Sequence, residues 1–418
     1  KSLTNRALIC AALAEGTSVL DGALWADDTE AMLEGLGRLG IAIDLDRAAA
    51  RITVHGCGGS LPPSAVGASL DARLSGTTSR FLLPLIALGK GPIRLDAAAP
   101  MRTRPMADGI DALRSLGVSV TDEGEPGHLP VTVDGPPSPP ADGPASLAVA
   151  GDASSQFLSG LLLSAPAWPG GLRLAVDGEL VSRPYIDMTV AVLRAFGAEV
   201  TVGHDDHRHD TWTVAPTGYR AAADYQVEPD ASAASYFFGA AAVCGGRVTI
   251  GGLGRNSLQG DLGFVEVLAR MGCVVEQSDT ATTVVGPPAG RLRAVDVDMR
   301  HISDTAPTLA AVAVFADGPS RLTGIGFIRR KESDRIGDVA RELRRCGITV
   351  DEEDDGMVVH PGSPQPARLA TYDDHRLAMS FALLGLRAPG IEIADAPVVA
   401  KTFPTFWDVL AQLGAGRA

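Results

Sequence analysis

Apolar positions in this chain recur with the period of a helix and then stop at glycine, six times over. The stops are Leu39-Gly40, Leu116-Gly117, Phe196-Gly197, Met271-Gly272, Cys346-Gly347 and Leu413-Gly414, spaced 67 to 80 residues apart. A glycine just past the last apolar position adopts the left-handed conformation without a Cβ clash, so each pair is predicted to be a helix end. Repetition of this kind sets the architecture before any single residue does.

The fourth repeat shows the pattern clearly. Ser235 to Val243 is an apolar helical run, Gly245-Gly246 turns it, and Arg247 to Ile250 alternates as a strand does. After a polar loop, Phe264, Leu268 and Met271 mark a second helix; Cys273 to Glu276 and Thr282 to Val285 read as a strand pair. The same order of helix, strand, helix, strand, strand fits Arg80 to Val133, Gln156 to Val214 and Pro307 to Val359. Strands alternating with helices predict an α/β protein with helices covering sheets. Six units divide into two similar domains of three, residues 1–227 and 228–418, with the hinge near Gln226 to Pro229. Pro136 to Pro144 reads as a rigid loop and Asp351 to Gly356 as an acidic hairpin turn. The sixth unit lacks closing strands, and a segment preceding Lys1 is expected to supply them, so that the two chain ends meet in one domain.

Composition narrows the class. With 45% hydrophobic residues over 418 positions, the chain can bury two cores, while no apolar run is long enough for a membrane span. A cytoplasmic protein is expected, because the five cysteines form no CxxC pair and read as free thiols. The formal charge of −14 argues against nucleic-acid or anionic-membrane partners. An anionic ligand therefore needs a local basic pocket.

Such a pocket is written at the helix starts. Lys1-Ser2 with Arg6, Gly76-Thr77 with Arg80, Ser154-Ser155-Gln156, Asp230 with Ser232, Asp304, and Asp373-Asp374-His375-Arg376 precede the first helices. Asp27-Asp28, Arg102 to Pro105, Ser182 to Tyr185, Arg255-Asn256, Lys331 to Arg335 and Lys401 to Pro404 precede the second. A lone Ser or Asp there is ordinarily an N-cap and a lone Arg a solvated surface group. Basic residues at equivalent repeat positions, interleaved with two carboxylates, mean more. Helix N-termini attract anions, and if the repeats aim them at one cleft, Lys1, Arg6, Arg80, Arg104, Lys331, Arg335, Arg376 and Lys401 converge on a ligand with several negative charges.

Other chemistry finds little support. His204, His207 and His209 with Asp205, Asp206 and Asp210 could ligate a metal, but they lie between two strand-like stretches and read as a solvated hairpin turn. Gly251 to Gly254 lacks dinucleotide-loop spacing, and GxxxxGK[ST] and GxSxG are both absent. No metal and no cofactor are expected.

Lys1-Ser2-Leu3-Thr4-Asn5-Arg6, Gly76-Thr77-Thr78-Ser79-Arg80, Ser154-Ser155-Gln156-Phe157, Arg183-Pro184-Tyr185-Ile186-Asp187, Lys331-Glu332-Ser333-Asp334-Arg335, Asp373-Asp374-His375-Arg376 and Lys401-Thr402-Phe403-Pro404 follow one another along the chain. Together these segments resemble the 5-enolpyruvylshikimate-3-phosphate synthases. The resemblance implies an enolpyruvyl transferase-like inside-out α/β barrel in each domain and a monomer that closes over its substrates. It implies transfer of the enolpyruvyl group of phosphoenolpyruvate to the 5-hydroxyl of shikimate 3-phosphate, with release of phosphate, in the shikimate pathway. It further implies Asp304 as proton acceptor, Glu332 as proton donor and Lys1 as a participant touching both substrates. Shikimate 3-phosphate would be held by Lys1, Ser2, Arg6, Ser154, Ser155, Gln156, Ser182, Tyr185, Asp304 and Lys331. Phosphoenolpyruvate would be held by Lys1, Gly76, Arg104, Gln156, Arg335, Arg376 and Lys401.

Three positions depart from the family. Leu74-Ser75 replaces Asn-Ala, Phe327 replaces an Asn that reaches the ring, and Pro229 replaces a Gly before Asp230. Glyphosate sensitivity is expected, with Gly76 leaving room beside phosphoenolpyruvate. The sister transferase acting on UDP-N-acetylglucosamine fits less well, because Ser2 follows Lys1 and no Cys lies between Cys57 and Cys244. A catalytically silent anion-binding relative would be expected to lose Asp304 or Glu332, and both are present.

Overall fold

The computed structural model describes residues 1–138, 143–151, 154–178, 180–288 and 291–415. The middle of the proline-rich loop expected over Pro136 to Pro144 lies outside the described residues, as do the last three residues. The chain divides into two compact units, Lys1–Val227 and Glu228–Ala418.

In the first unit, three helices, Ser2–Leu13, Gly76–Ile86 and Ser155–Ser164, are buried on almost every face. A helix apolar all round belongs inside, and here sheets and amphipathic helices surround it. The second helix of each repeat is amphipathic: Asp27–Arg38, Ala107–Ser115 and Arg183–Ala195 each bury one stripe and expose the other. The second unit repeats the plan, with Ala231–Cys244, Ala306–Ala313 and His375–Gly385 buried and Phe264–Arg270 and Gly337–Arg345 amphipathic. This is the α/β, inside-out arrangement of helices within sheets.

The glycine punctuation holds at five of six sites. Gly40, Gly117, Gly197, Gly272 and Gly347 follow their helices at φ between 79° and 105°, where a side chain would be strained. The sixth is a correction: helix Phe406–Ala415 runs through Gly414. Glycine is tolerated inside a helix at a cost of about 1 kcal/mol, so the residue type alone does not end one.

The repeat also contains a strand that periodicity does not reveal. Ser69–Asp71, Ala145–Ala150, Asp296–Asp298 and Ala367–Leu369 each lie parallel to the strand that follows the next helix. Strand Ala14–Asp21 gains its parallel neighbours from Tyr219–Arg220 and Tyr225–Gln226. Each repeat so built is a βαβ crossover, which brings the helix back over its own sheet. The expected hairpins close the units: Val274–Gln277 pairs antiparallel with Ala281–Val285, and Val350–Glu353 with Gly356–Val359.

Candidate active site

The buried helices begin where the polar clusters stand, so burial and chemistry share the same first turns. In the first unit, Lys1 caps Ser2–Leu13, and its Nζ donates to Asp28 Oδ2 at 2.9 Å, the two side chains being only 10% and 3% exposed. Thr78, on the second buried helix, donates its hydroxyl to the carbonyl of Asp28 at 2.9 Å. Arg6 lies one turn along from Lys1 and reaches the Ser2 and Tyr185 carbonyls.

The start of helix Gly76–Ile86 is capped by Ser75 Oγ, which accepts the Thr78 amide at 3.1 Å. Arg80 Nη1 donates to Gln156 Oε1 at 2.9 Å, Gln156 Nε2 donates to Thr77 Oγ1 at 3.3 Å, and the Arg80 guanidinium lies 4.7 Å from the Phe157 ring centre. A Cβ at Gly76 would stand 2.6 Å from Arg80 Nη1 and 2.9 Å from Arg104 Nη1. Glycine here lets two guanidinium groups reach backbone at a helix N-terminus, a geometry suited to an anion. Ser154 stands at the N-cap position of Ser155–Ser164 and Ser182 at that of Arg183–Ala195, neither side chain making a cap bond, and Ser182 has a left-handed φ of 58°, a conformation costly for serine. Ser182 and Tyr185 thus begin the third amphipathic helix.

In the second unit the cations and carboxylates interlock. Arg335, 2% exposed at its side chain, donates Nε to Asp374 Oδ2 at 2.7 Å, Nη1 to Asp304 Oδ1 at 3.0 Å and Nη2 to Glu332 Oε2 at 2.7 Å. Arg376 Nη2 donates to Asp304 Oδ2 at 2.5 Å, and Lys401 Nζ to Glu332 Oε1 at 3.2 Å. Burial alone would lower the Arg335 guanidinium, but the carboxylates of Asp374, Glu332 and Asp304 outweigh it and raise it above its usual value. Tyr236 Oη accepts from Arg376 Nη1 at 3.5 Å, and burial pushes its phenol up to about 12, so it stays protonated. Lys331 Nζ sits 5.8 Å from the centre of the Phe327 ring, the residue standing where a polar ring contact was expected.

Asp304, Glu332, Arg335, Arg376 and Lys401 are therefore brought together from segments up to 97 residues apart. Lys1, Ser2, Arg6, Gly76, Arg104, Ser154, Ser155, Gln156, Ser182 and Tyr185 occupy helix starts of the first unit. The site list from sequence missed Asp28, Asp374 and Tyr236. Two of these were visible as polar clusters at helix starts, but nothing local says which side chain an Asp will meet. The histidine-rich segment is the turn between strands Val200–His204 and Asp210–Val214; there His209 contacts Asp205 and Asp177 at 3.1 and 3.2 Å. Arg183 joins that hairpin by an ion pair to Asp210 at 2.7 Å.

The comparisons agree on one family. The sequence model of EPSP synthase (3-phosphoshikimate 1-carboxyvinyltransferase) matches residues 1–410. A 3-phosphoshikimate 1-carboxyvinyltransferase of Nostoc punctiforme is 44% identical over 413 residues, 99% of this chain and 94% of that protein. The chloroplastic enzyme of Arabidopsis thaliana is 39% identical, covering 99% of this chain and 81% of its own. EPSP synthase of Acinetobacter baumannii superposes with a TM-score of 0.79 at 28% identity, over 99% of this chain and 93% of that one. The enolpyruvyl transferase NikO of Streptomyces tendae, at 20% identity and a TM-score of 0.72 over 99% and 92% of the two chains, shares the fold.

Proposed function

The chain belongs to the EPSP synthase (3-phosphoshikimate 1-carboxyvinyltransferase) family, and from that premise we propose how its residues divide the work. The activity is a transferase reaction: the enolpyruvyl group of phosphoenolpyruvate passes to the 5-hydroxyl of shikimate 3-phosphate, and phosphate leaves. Two proton movements are required. The methylene carbon must gain a proton as the hydroxyl loses one, and the resulting methyl must give a proton back as phosphate departs.

The observation that carries the assignment of roles is the sharing of Arg335 by Asp304 and Glu332, one on each Nη. A single guanidinium thereby spaces an acceptor and a donor, each able to contribute about 10²–10⁴-fold as general base or acid. Asp304 takes the hydroxyl proton and Glu332 delivers the proton to carbon. Arg335, Arg376 and Lys401 exchange these carboxylates for the carboxylate and phosphate of phosphoenolpyruvate, as bidentate guanidinium forks allow. By the family resemblance, Gly76, Arg104 and Gln156 are also phosphoenolpyruvate ligands. Ser2, Arg6, Ser154, Ser155, Gln156, Ser182, Tyr185 and Lys331, with Asp304, hold shikimate 3-phosphate, and Lys1 touches both substrates. The enzyme acts as a monomer in the cytoplasm and is inhibited by glyphosate; among the described residues no helix is long and apolar enough to cross a membrane.

The decisive experiment measures phosphate release from phosphoenolpyruvate with and without shikimate 3-phosphate. Release that depends on shikimate 3-phosphate is expected. Release supported by UDP-N-acetylglucosamine instead, or none at all, would overturn the reading.

A further inference from the structure

Arg6 is a buried cation that meets no carboxylate among the described residues. The residue is 2% exposed, yet four of its five N–H groups are already engaged. Nε–H goes to Thr189 Oγ1 at 2.8 Å, Nη1–H to the Ser2 carbonyl at 3.0 Å, and the two Nη2–H to Ser159 Oγ at 3.1 Å and the Tyr185 carbonyl at 3.2 Å. All four acceptors are neutral. Arg335, by contrast, is wrapped by three carboxylates. Burial draws the Arg6 guanidinium down to about 10, so it remains cationic at neutral pH and one Nη1–H remains to be given.

The two hydroxyls are fully buried and lie on different helices from Arg6. Thr189 Oγ1 accepts from Arg6 while standing 2.8 Å from both Ser159 Oγ and the Tyr185 carbonyl, so its own proton goes to one of those two. Arg6 belongs to Ser2–Leu13, Ser159 to Ser155–Ser164 and Thr189 to Arg183–Ala195. Ser2, the run Ser154 to Gln156, and the pair Ser182 and Tyr185 stand at the starts of those three helices. One hydroxyl pair thus joins the three helices of this unit whose first turns are assigned to shikimate 3-phosphate.

We propose that Thr189 and Ser159 are positioning residues for shikimate 3-phosphate, a neutral pair that fixes the Arg6 guanidinium and three helix starts while leaving its charge for the substrate's anionic group. An Asp or Glu in their place would hold the guanidinium equally well but cancel its charge. The proposal rests on the reading of Arg6 as a shikimate 3-phosphate ligand, and its test separates the two.

Steady-state kinetics on Thr189→Val, Thr189→Ser, Ser159→Ala and Arg6→Gln, with thermal melts of each, decide the matter. Thr189→Val is isosteric and removes the hydroxyl; KM for shikimate 3-phosphate should rise about tenfold or more, the scale of a hydrogen bond to a charged group. KM for phosphoenolpyruvate should stay within about twofold, and Thr189→Ser should restore most of the loss. Should Thr189→Val fail to fold, Ser159→Ala is judged by the same criterion. If Arg6→Gln raises KM for shikimate 3-phosphate and the hydroxyl variants lower only the melting temperature, the positioning role is wrong and the Arg6 reading stands. If Arg6→Gln itself leaves that KM unchanged, the underlying reading falls.

Discussion

Asp374 holds Arg335 and caps a helix with the same carboxylate. Its Oδ2 accepts Arg335 Nε at 2.7 Å and its Oδ1 accepts the Arg376 amide at 2.9 Å, at the start of helix His375–Gly385. One buried group thereby sets the orientation of one guanidinium and the backbone from which the other, Arg376, projects.

Asp374→Asn keeps the capping oxygen and loses the charge. Breaking a buried ion pair costs about 3–5 kcal/mol, and Asp374→Ala should lose about 1 kcal/mol more with the cap. Urea denaturation checks the order; KM for phosphoenolpyruvate should also rise. An Asn variant as stable as the parent would refute the account.

Asp304→Ala and Glu332→Gln should each reduce kcat by about 10²–10⁴-fold, while Glu332→Gln largely keeps the calorimetric binding of shikimate 3-phosphate. Near-normal turnover in either variant would show that its assigned proton role is wrong.

Gly76→Ala places a methyl group 2.6 Å from Arg80 Nη1 and 2.9 Å from Arg104 Nη1, too close for either to stay. KM for phosphoenolpyruvate should increase about tenfold or more, as for a lost hydrogen bond from a charged donor. Unchanged KM would mean that the two arginines do not serve that subsite.

Acid should weaken the fold through exposed carboxylates of the first unit. Glu34 is held below its usual range by Arg73 and then Arg38, Glu123 by Thr132 and then Arg94, and Asp21 by Arg51. Each is depressed in the folded chain, so its stabilisation is complete above the ordinary carboxylate range and is lost as pH falls through the lower folded value. Melting temperature measured from pH 7 to about 3 should fall at the acid end, and a flat profile would contradict this.

Burial pushes the Cys10 thiol up to about 12 and the Cys273 thiol up to about 11. Thiolate is the reactive form, so both should resist iodoacetamide at pH 8 in the native protein and react after unfolding. Mass spectrometry of the alkylated protein gives the answer; rapid native labelling of Cys10 would argue that its helix opens.

Local pattern by itself determined the repeat, five helix ends and the polar clusters at helix starts, because periodicity and glycine caps act within a few residues. The short parallel strands escaped it: Ser69–Asp71 and Asp296–Asp298 have three residues each and bury one, too few to alternate. Gly414 escaped it too, since a glycine permits a helix end without requiring one. Partner choice belonged wholly to tertiary structure. Nothing near Arg335 in sequence names Asp374, 39 residues away, and nothing near Arg6 names Thr189, 183 residues away. Those distances close only when the helices pack, and it is then that packing decides which cation receives a carboxylate, as Arg335 does, and which meets neutral acceptors, as Arg6 does.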